Sequence, residues 1–212
     1  MTNCNTTPLL LSSLGRRNLV ADFDGGDLTS DGGLPLLREV DRKIGLIDAL
    51  DAALADPRCP WLIEHDQRTI LAQRIFALAA GYEDLNDHQT LRNDTLLQVL
   101  TDRQLKVGQT ETDPLSSPPT LCRLENRVTR ADLVRLASVL VETLRRVGLA
   151  GTELACAQVP TIRLKLLKIG GRIVRSVRRI VVHLASGFPL RQTFQTILRH
   201  LRDWSCLPAS TP

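Results

Sequence analysis

Aromatic side chains are scarce: Phe, Trp and Tyr make up 3% of the 212 residues. Hydrophobic residues reach 43%, so a sizeable core is within reach, but it must be built from Leu, Ile, Val and Ala. Few aromatics also means few stacking platforms, which weighs against single-stranded nucleic-acid modules. The cysteines, Cys4, Cys59, Cys122, Cys156 and Cys206, are odd in number and scattered, with no CxxC pair. That pattern gives neither a disulfide framework nor a zinc site and fits reduced thiols in a cytoplasmic protein. His65, His88, His183 and His200 show no HxxH or HxxxH spacing, which leaves zinc without support. There is no GxSxG elbow, the strand-to-helix turn that presents a serine nucleophile. No run of about 18 apolar residues exists, so no membrane helix is expected. No basic stretch leading into an apolar one opens the chain, so no signal peptide is expected.

Acidic residues are nearly absent from one end. Residues 1–144 carry 15 basic and 21 acidic side chains, whereas residues 145–212 carry 12 basic and 2 acidic. The chain is therefore split into parts of net −6 and +10 beneath an overall +4. A basic end on an acidic body points to a polyanion partner, nucleic acid before membrane. The competing reading is a solvated basic face.

Along the chain, residues 1–17 are polar and weakly patterned and read as a loose arm. Asn18–Phe23 reads as a short strand. Two Asp-Gly-Gly triplets follow, and the second runs into helical spacing at Leu34, Leu37, Val40, Asp41 and Ile44,. Ser30 or Asp31 is the expected cap, Pro35 fits a first turn, and Gly45 ends the helix. Leu46–Leu54 is a second short helix, and residues 56–61, with two prolines, break the pattern. Asp66–Ala80 is the strongest helix, with Ile70, Leu71, Ile75, Leu78 and Ala79 as its apolar stripe and Gly81 as its stop. Tyr82–Leu100 reads as short capped turns, Thr112–Pro119 as a linker, and Leu121–Leu144 as helix in one or two pieces. Thr161–Ile169 alternates in the manner of a strand. With Gly170-Gly171 and the β-branched run Arg172–Ser186 it reads as a β-hairpin, with a basic amphipathic helix as the competitor. Pro189–Trp204 is a terminal helix.

Three stretches are candidates for chemistry. Asp22, Asp24, Asp27 and Asp31 sit in the acidic glycine loop, but an EF-hand template started at Asp22 puts Gly26 at position 5 and Gly33 at position 12, where oxygen ligands belong,. No Lys-Ser/Thr follows the glycines, so the phosphate-loop template fails too. Turn and cap chemistry is the better reading. "YEDLNDH" (Tyr82–His88) could supply a metal site or an acid/base pair from Glu83, Asp84, Asp87 and His88, against the plainer reading of capping residues. The basic hairpin differs in kind. Arg163, Lys165, Lys168, Arg172, Arg175, Arg178 and Arg179 fall in one short segment and are the expected DNA-binding residues. Guanidinium groups suit phosphate, and a β-ribbon can enter a major groove.

"FDGGDLTSDGGLPLLREVDRKIGLIDAL", "QRIFALAAGYEDLNDHQTLRND" and "PTLCRLENRVTRADL" together resemble the N-terminal region of bacterial insertion-sequence transposases, the group 1 DDE enzymes of insertion-sequence family 1380. The resemblance covers roughly residues 18–141. Residues 149–189 resemble the C-terminal end of the same family. What the resemblance implies is DNA transposition and recombination by a mobile element. It also implies a chain about twice this length, whose middle is a ribonuclease-H-like core with three carboxylates that hold divalent metal. Here the N-terminal match passes into the C-terminal match near Val139–Leu149, and no catalytic residue can be carried over.

The expected fold is α+β and mostly α: a loose arm (1–17), an N-terminal helical bundle (18–110), a linker (111–119), a helical junction (120–148), and a basic hairpin with a C-terminal helix (149–212). The ribonuclease-H-like catalytic core is expected to be missing. The expected function is a DNA-binding remnant, inactive alone, with no metal site and no cofactor; Mg²⁺ is expected only for the full-length family. Its expected partners are the element's terminal inverted repeats, with intact transposase or a second copy as candidate co-subunits, and no membrane. One alternative is a relic with Ile162, Leu164 and Leu166 left exposed. The other is a Mg²⁺-dependent transposase or nuclease using Asp22, Asp24 or Glu83.

Overall fold

A buried helix organises the chain. The computed structural model describes residues 9–14, 17–21, 26–102, 114–175 and 179–204. Helix α3 (Gln67–Ala80) starts where the Asp66 carboxylate accepts the Thr69 amide at 2.6 Å and stops at Gly81, whose φ is 96°. A glycine accepts that left-handed conformation without a Cβ penalty. The sequence suggests a one-sided apolar stripe, but every residue from Thr69 to Ala80 is buried. A helix covered all round is a core axis rather than a surface element. Before it come helices α1 (Pro35–Ile44) and α2 (Leu46–Ala53), joined at Gly45, with φ 65°. Gly45 lends α2 no side-chain cap; the Asp41 carboxylate supplies one instead, accepting the Ile47 amide at 3.0 Å.

After α3 the chain makes the short capped turns expected of it: a 3₁₀ turn (Leu85–Asp87), α4 (His88–Leu91) and α5 (Thr95–Leu100), with Asp94 capping α5 through the Leu97 amide. Helices α6 (Pro118–Glu125) and α7 (Arg130–Thr143) follow, and α7 is the most extensive helix neighbour of α3. A π-helical segment, Leu144–Gly148, extends α7 without a break. Leu121–Leu144, expected as helix in one or two pieces, is thus two helices.

The supposed linker is not free. Residues 111–113 lie outside the described residues, but Leu115 and Ser116 are both 0% exposed. The Leu115 amide donates to Arg92 O at 2.8 Å, and Gln73 exchanges two hydrogen bonds with the Ser116 backbone, at 2.9 and 3.0 Å. A buried glutamine thus replaces a paired strand for this stretch and satisfies backbone groups that could not be left bare. Within residues 1–17, expected as a loose arm, Leu9–Leu14 forms strand β1, antiparallel to β2 (Arg17–Ala21).

The hairpin is displaced from its expected place. Thr161–Ile169 is not a strand: helix α8 (Val159–Ile162) leads into a second π-helical segment, Arg163–Leu167. Ile162 and Leu166 are 0% exposed while Leu164 is 72% exposed, which is helical spacing rather than alternation. A short alternating run fits either period, and Pro160 in the first turn of α8 tips it to helix,. The hairpin lies further on, as β4 (Gly171–Arg175) and β5 (Ile180–Leu184). Its closing residues 176–178 are outside the described ones. The short strand β3 (Leu28–Thr29) pairs with β4, giving an antiparallel sheet in the order β3-β4-β5. The fold is mostly helical with this small sheet. The last helix, α9 (Arg191–Asp203), packs on the π-helical end of α7 and on α1. Gly148 makes that approach possible, because a Cβ there would meet Ile197 Cγ2 at 2.9 Å.

Candidate functional site

The second Asp-Gly-Gly triplet is a clasp that holds the C-terminal segment. Asp31 is buried. Its Oδ1 receives Lys168 Nζ at 2.6 Å, and its Oδ2 receives the Tyr82 hydroxyl at 2.7 Å. The Lys168 ammonium also sits 3.7 Å from the Tyr82 ring centroid, a cation–π contact that adds to the ion pair. Next to this, the Gly32 amide donates to Ile169 O at 2.7 Å and the Gly33 amide to Leu167 O at 3.1 Å. There is no space for side chains: a Cβ on Gly33 would lie 2.0 Å from Leu166 O, and one on Gly32 would lie 2.7 Å from Ile169 O. Glycine is needed here for close backbone approach. The expectation that Ser30 or Asp31 caps α1 is corrected: Leu34 holds the cap position without a side-chain bond, because the Asp31 carboxylate is turned to Lys168 and Tyr82. In the first triplet, Asp24 and Gly25 lie outside the described residues, as does Asp22; Gly26 has φ 74°.

A second network lies under "YEDLNDH". Arg74, 0% exposed, donates to Glu125 Oε1 at 2.7 Å, to Tyr82 O at 3.0 Å and to Glu83 O at 2.8 Å, and contacts His88 Nε2 at 3.2 Å. The other ring nitrogen of His88 lies 3.1 Å from Gln73 Nε2. Asp84 caps the 3₁₀ turn through the Asn86 amide at 2.9 Å, and Glu83 faces Arg130 at the surface at 3.3 Å. The motif is therefore structural in the main. A groove of about 650 Å³ opens between the two networks, lined by Thr29, Asp31, Tyr82, Asp87, Asn93 and Asp94. Burial raises the Asp94 carboxyl above its ordinary range, against the opposing hydrogen bonds from Leu97 and Thr29. Among the described residues, no group of three or more His, Cys, Asp and Glu is placed to hold a metal ion.

His88 carries a testable consequence. Burial, reinforced by the Arg74 charge, lowers its pKa from 6.5 to about 4. The unfolded chain therefore takes up a proton below about pH 6.5 that the folded chain refuses until about pH 4. Stability is lost as pH falls through that window, by up to roughly 3 kcal/mol. The raised carboxyls of Asp41 and Asp94 act in the opposite sense, because there the folded chain binds protons first. Urea unfolding at pH 7 and pH 4.5 should show a larger loss for the natural chain than for His88→Asn.

The basic residues expected to bind DNA divide into groups. Arg163 closes α3, donating to Ala79 O at 2.8 Å and Leu78 O at 3.1 Å. Lys168 belongs to the clasp. These two are spent on folding and are not on the hairpin, because their segment is helical. Lys165 is exposed on the π-helical segment, and Arg172 and Arg179 are exposed on and beside the hairpin. Arg175 ends β4, and Arg178 lies outside the described residues. On β4, Arg172 and Val174 point outward while Ile173 is buried, and Arg172 pairs with His183 across the strands. Arg191, Arg199 and Arg202 of α9, outside that set, are exposed as well, and no Asp or Glu occurs between Glu153 and Asp203.

Comparison with known families gives one finding. Residues 11–137 and 130–206 match the model of the family described as transposase DDE domain, group 1. The two matched stretches share residues 130–137. No curated protein and no solved structure matches the chain.

Proposed function

The chain belongs to the group 1 transposase DDE domain family, and we propose that it is an internally deleted, DNA-binding member of insertion-sequence family 1380 that does not cut DNA by itself. The observation that carries this reading is the form of the family match. The two stretches overlap at 130–137, within α7, and α7 then runs on unbroken to Gly148. A continuous helix where the two matched stretches meet supports that reading.

Five of the described carboxylates are committed elsewhere. Asp66, Asp84 and Asp94 cap helical turns, Asp31 pairs with Lys168, and Glu125 pairs with Arg74. A two-metal reaction needs carboxylates that converge on the ions, and the described residues do not fit that need. No reaction step is assigned to this chain. Of the three residues the relic reading leaves bare, Leu164 is exposed but Ile162 and Leu166 are buried, and those two favour a folded binding protein.

Binding is assigned to the phosphate backbone through Lys165, Arg172 and Arg179, with Arg175 at the end of β4 and Arg178 near it in sequence. The partner is the element's terminal inverted repeats, where the chain competes with intact transposase or joins it as an inactive subunit. Among the described residues no helix is long and apolar enough to cross a membrane.

Fluorescence anisotropy with an inverted-repeat duplex tests this. Affinity should fall about tenfold or more between 50 and 200 mM salt, since each neutralised phosphate releases counterions. Arg172→Ala with Arg179→Ala should weaken binding to every sequence and flatten the salt slope by about one for each phosphate no longer neutralised. Binding that is absent, or indifferent to salt, would refute the reading.

A further inference from the structure

The outward face of α9 is distinct in composition. Arg191, Gln192, Gln195, Arg199, Arg202 and Asp203 are its exposed residues. At about 100° per residue they occupy one arc of roughly 120°. Every member before Asp203 is an arginine or a glutamine. Along α7 and the π-helical segment that extends it, arginines are paired locally instead: Arg135 with Asp132, and Arg145 with Glu142. On α9, among the described residues, Arg199 and Arg202 have no ion-pair partner. Arg191 makes only a 3.5 Å contact to Ser186 O.

The opposite face is firmly seated. Ile197 and Leu201 are buried, His200 Nδ1 lies 2.9 Å from Gly148 O, and Lys43 donates to Trp204 O at 2.9 Å just past the helix end. The helix that carries this row of guanidinium and amide groups is thus fixed in place. From Arg191 to Arg202 it spans about 16 Å at 1.5 Å per residue. A B-form major groove, about 12 Å wide, admits an α-helix; there arginine can bond guanine O6 and N7 and glutamine can bond adenine N6 and N7.

From this geometry we infer that α9 is the helix that enters the major groove and reads base edges, while the hairpin holds the phosphates. The occupant is duplex DNA, because the segment between Glu153 and Asp203 holds no acidic residue and the outward groups of α9 are those that pair with base edges. The inference rests on the DNA-binding reading above and adds a division of labour: α9 supplies sequence preference, and the hairpin supplies affinity.

The test uses the full chain, an inverted-repeat duplex, a scrambled duplex, and an inverted-repeat duplex with 7-deazaguanine in place of guanine, which lacks the N7 acceptor. Gln195→Ala with Arg199→Ala should cut the preference for the repeat over the scrambled duplex about tenfold while barely changing scrambled binding. The 7-deaza duplex should bind the natural chain more weakly than the normal repeat and bind the Arg199→Ala variant equally in both forms. Both changes are at exposed positions, and circular dichroism confirms that the variants fold. If the α9 variant instead weakens both duplexes alike, or double-stranded RNA of the same sequence binds as well as DNA, the inference falls and the backbone-binding reading survives. If the natural chain binds neither duplex, both fall.

Discussion

Gly33→Ala is expected to destabilise the chain by about 3 kcal/mol or more, at the upper end of what overpacking costs. The added carbon would sit 2.0 Å from Leu166 O and 2.7 Å from Leu167 Cα. Both are backbone atoms, so no side chain can swing away. Relief requires the strip at Gly32 and Gly33 to lift from residues 166–169, which breaks the Gly33–Leu167 hydrogen bond and pulls on the Asp31–Lys168 pair beside it. Domains of this size are stable by only about 5–15 kcal/mol, so a large fraction of the margin goes with one methyl group. The urea midpoint read by circular dichroism is the measurement. Gly170→Ala is the control: a Cβ there meets nothing within 4 Å, and its midpoint should move little.

Arg74→Met should cost a similar or larger amount, about 3–5 kcal/mol, the range for breaking one side of a buried ion pair. The guanidinium serves Glu125, two backbone carbonyls and the His88 ring at once. Methionine fills much of the volume but donates nothing, so the Tyr82 and Glu83 carbonyls lose their partner inside the protein. Glu125→Gln should cost less, because that side chain is 13% exposed and water reaches it. Thermal unfolding of the two variants side by side gives the order. Equal losses would mean that the carboxylate, not the carbonyls, is what Arg74 holds.

The helices were legible where caps and stops are local. Asp66 and Gly81 bound α3, Gly45 parts α1 from α2, and Asp94 opens α5, all by interactions within a few residues. The apolar face of α9 was equally plain. What was not legible depends on distant partners. Asp31 looks like a cap until Tyr82 and Lys168 arrive from elsewhere in the chain. Thr161–Ile169 is short enough to satisfy both periods; Pro160 tips it to helix, and the packing of Ile162 and Leu166 holds it there. Residues 114–117 look like a linker because the side chain that pairs with their backbone, Gln73, sits far away on a helix. Arg163 and Lys168 look like free cations for the same reason: their partners, the end of α3 and Asp31, are remote in sequence. The acidic glycine loop follows the same rule. Its second half is the surface on which the C-terminal segment docks.

Whether this chain binds the element ends without cutting them is decided most directly by one gel. The full chain is incubated with a supercoiled plasmid carrying both inverted-repeat ends, in Mg²⁺, and the plasmid is run without and with removal of protein. The predicted result is retardation before removal and unchanged supercoiled plasmid after it. Mg²⁺-dependent nicked or linear product mapping to the ends, absent from a plasmid without them, would contradict it.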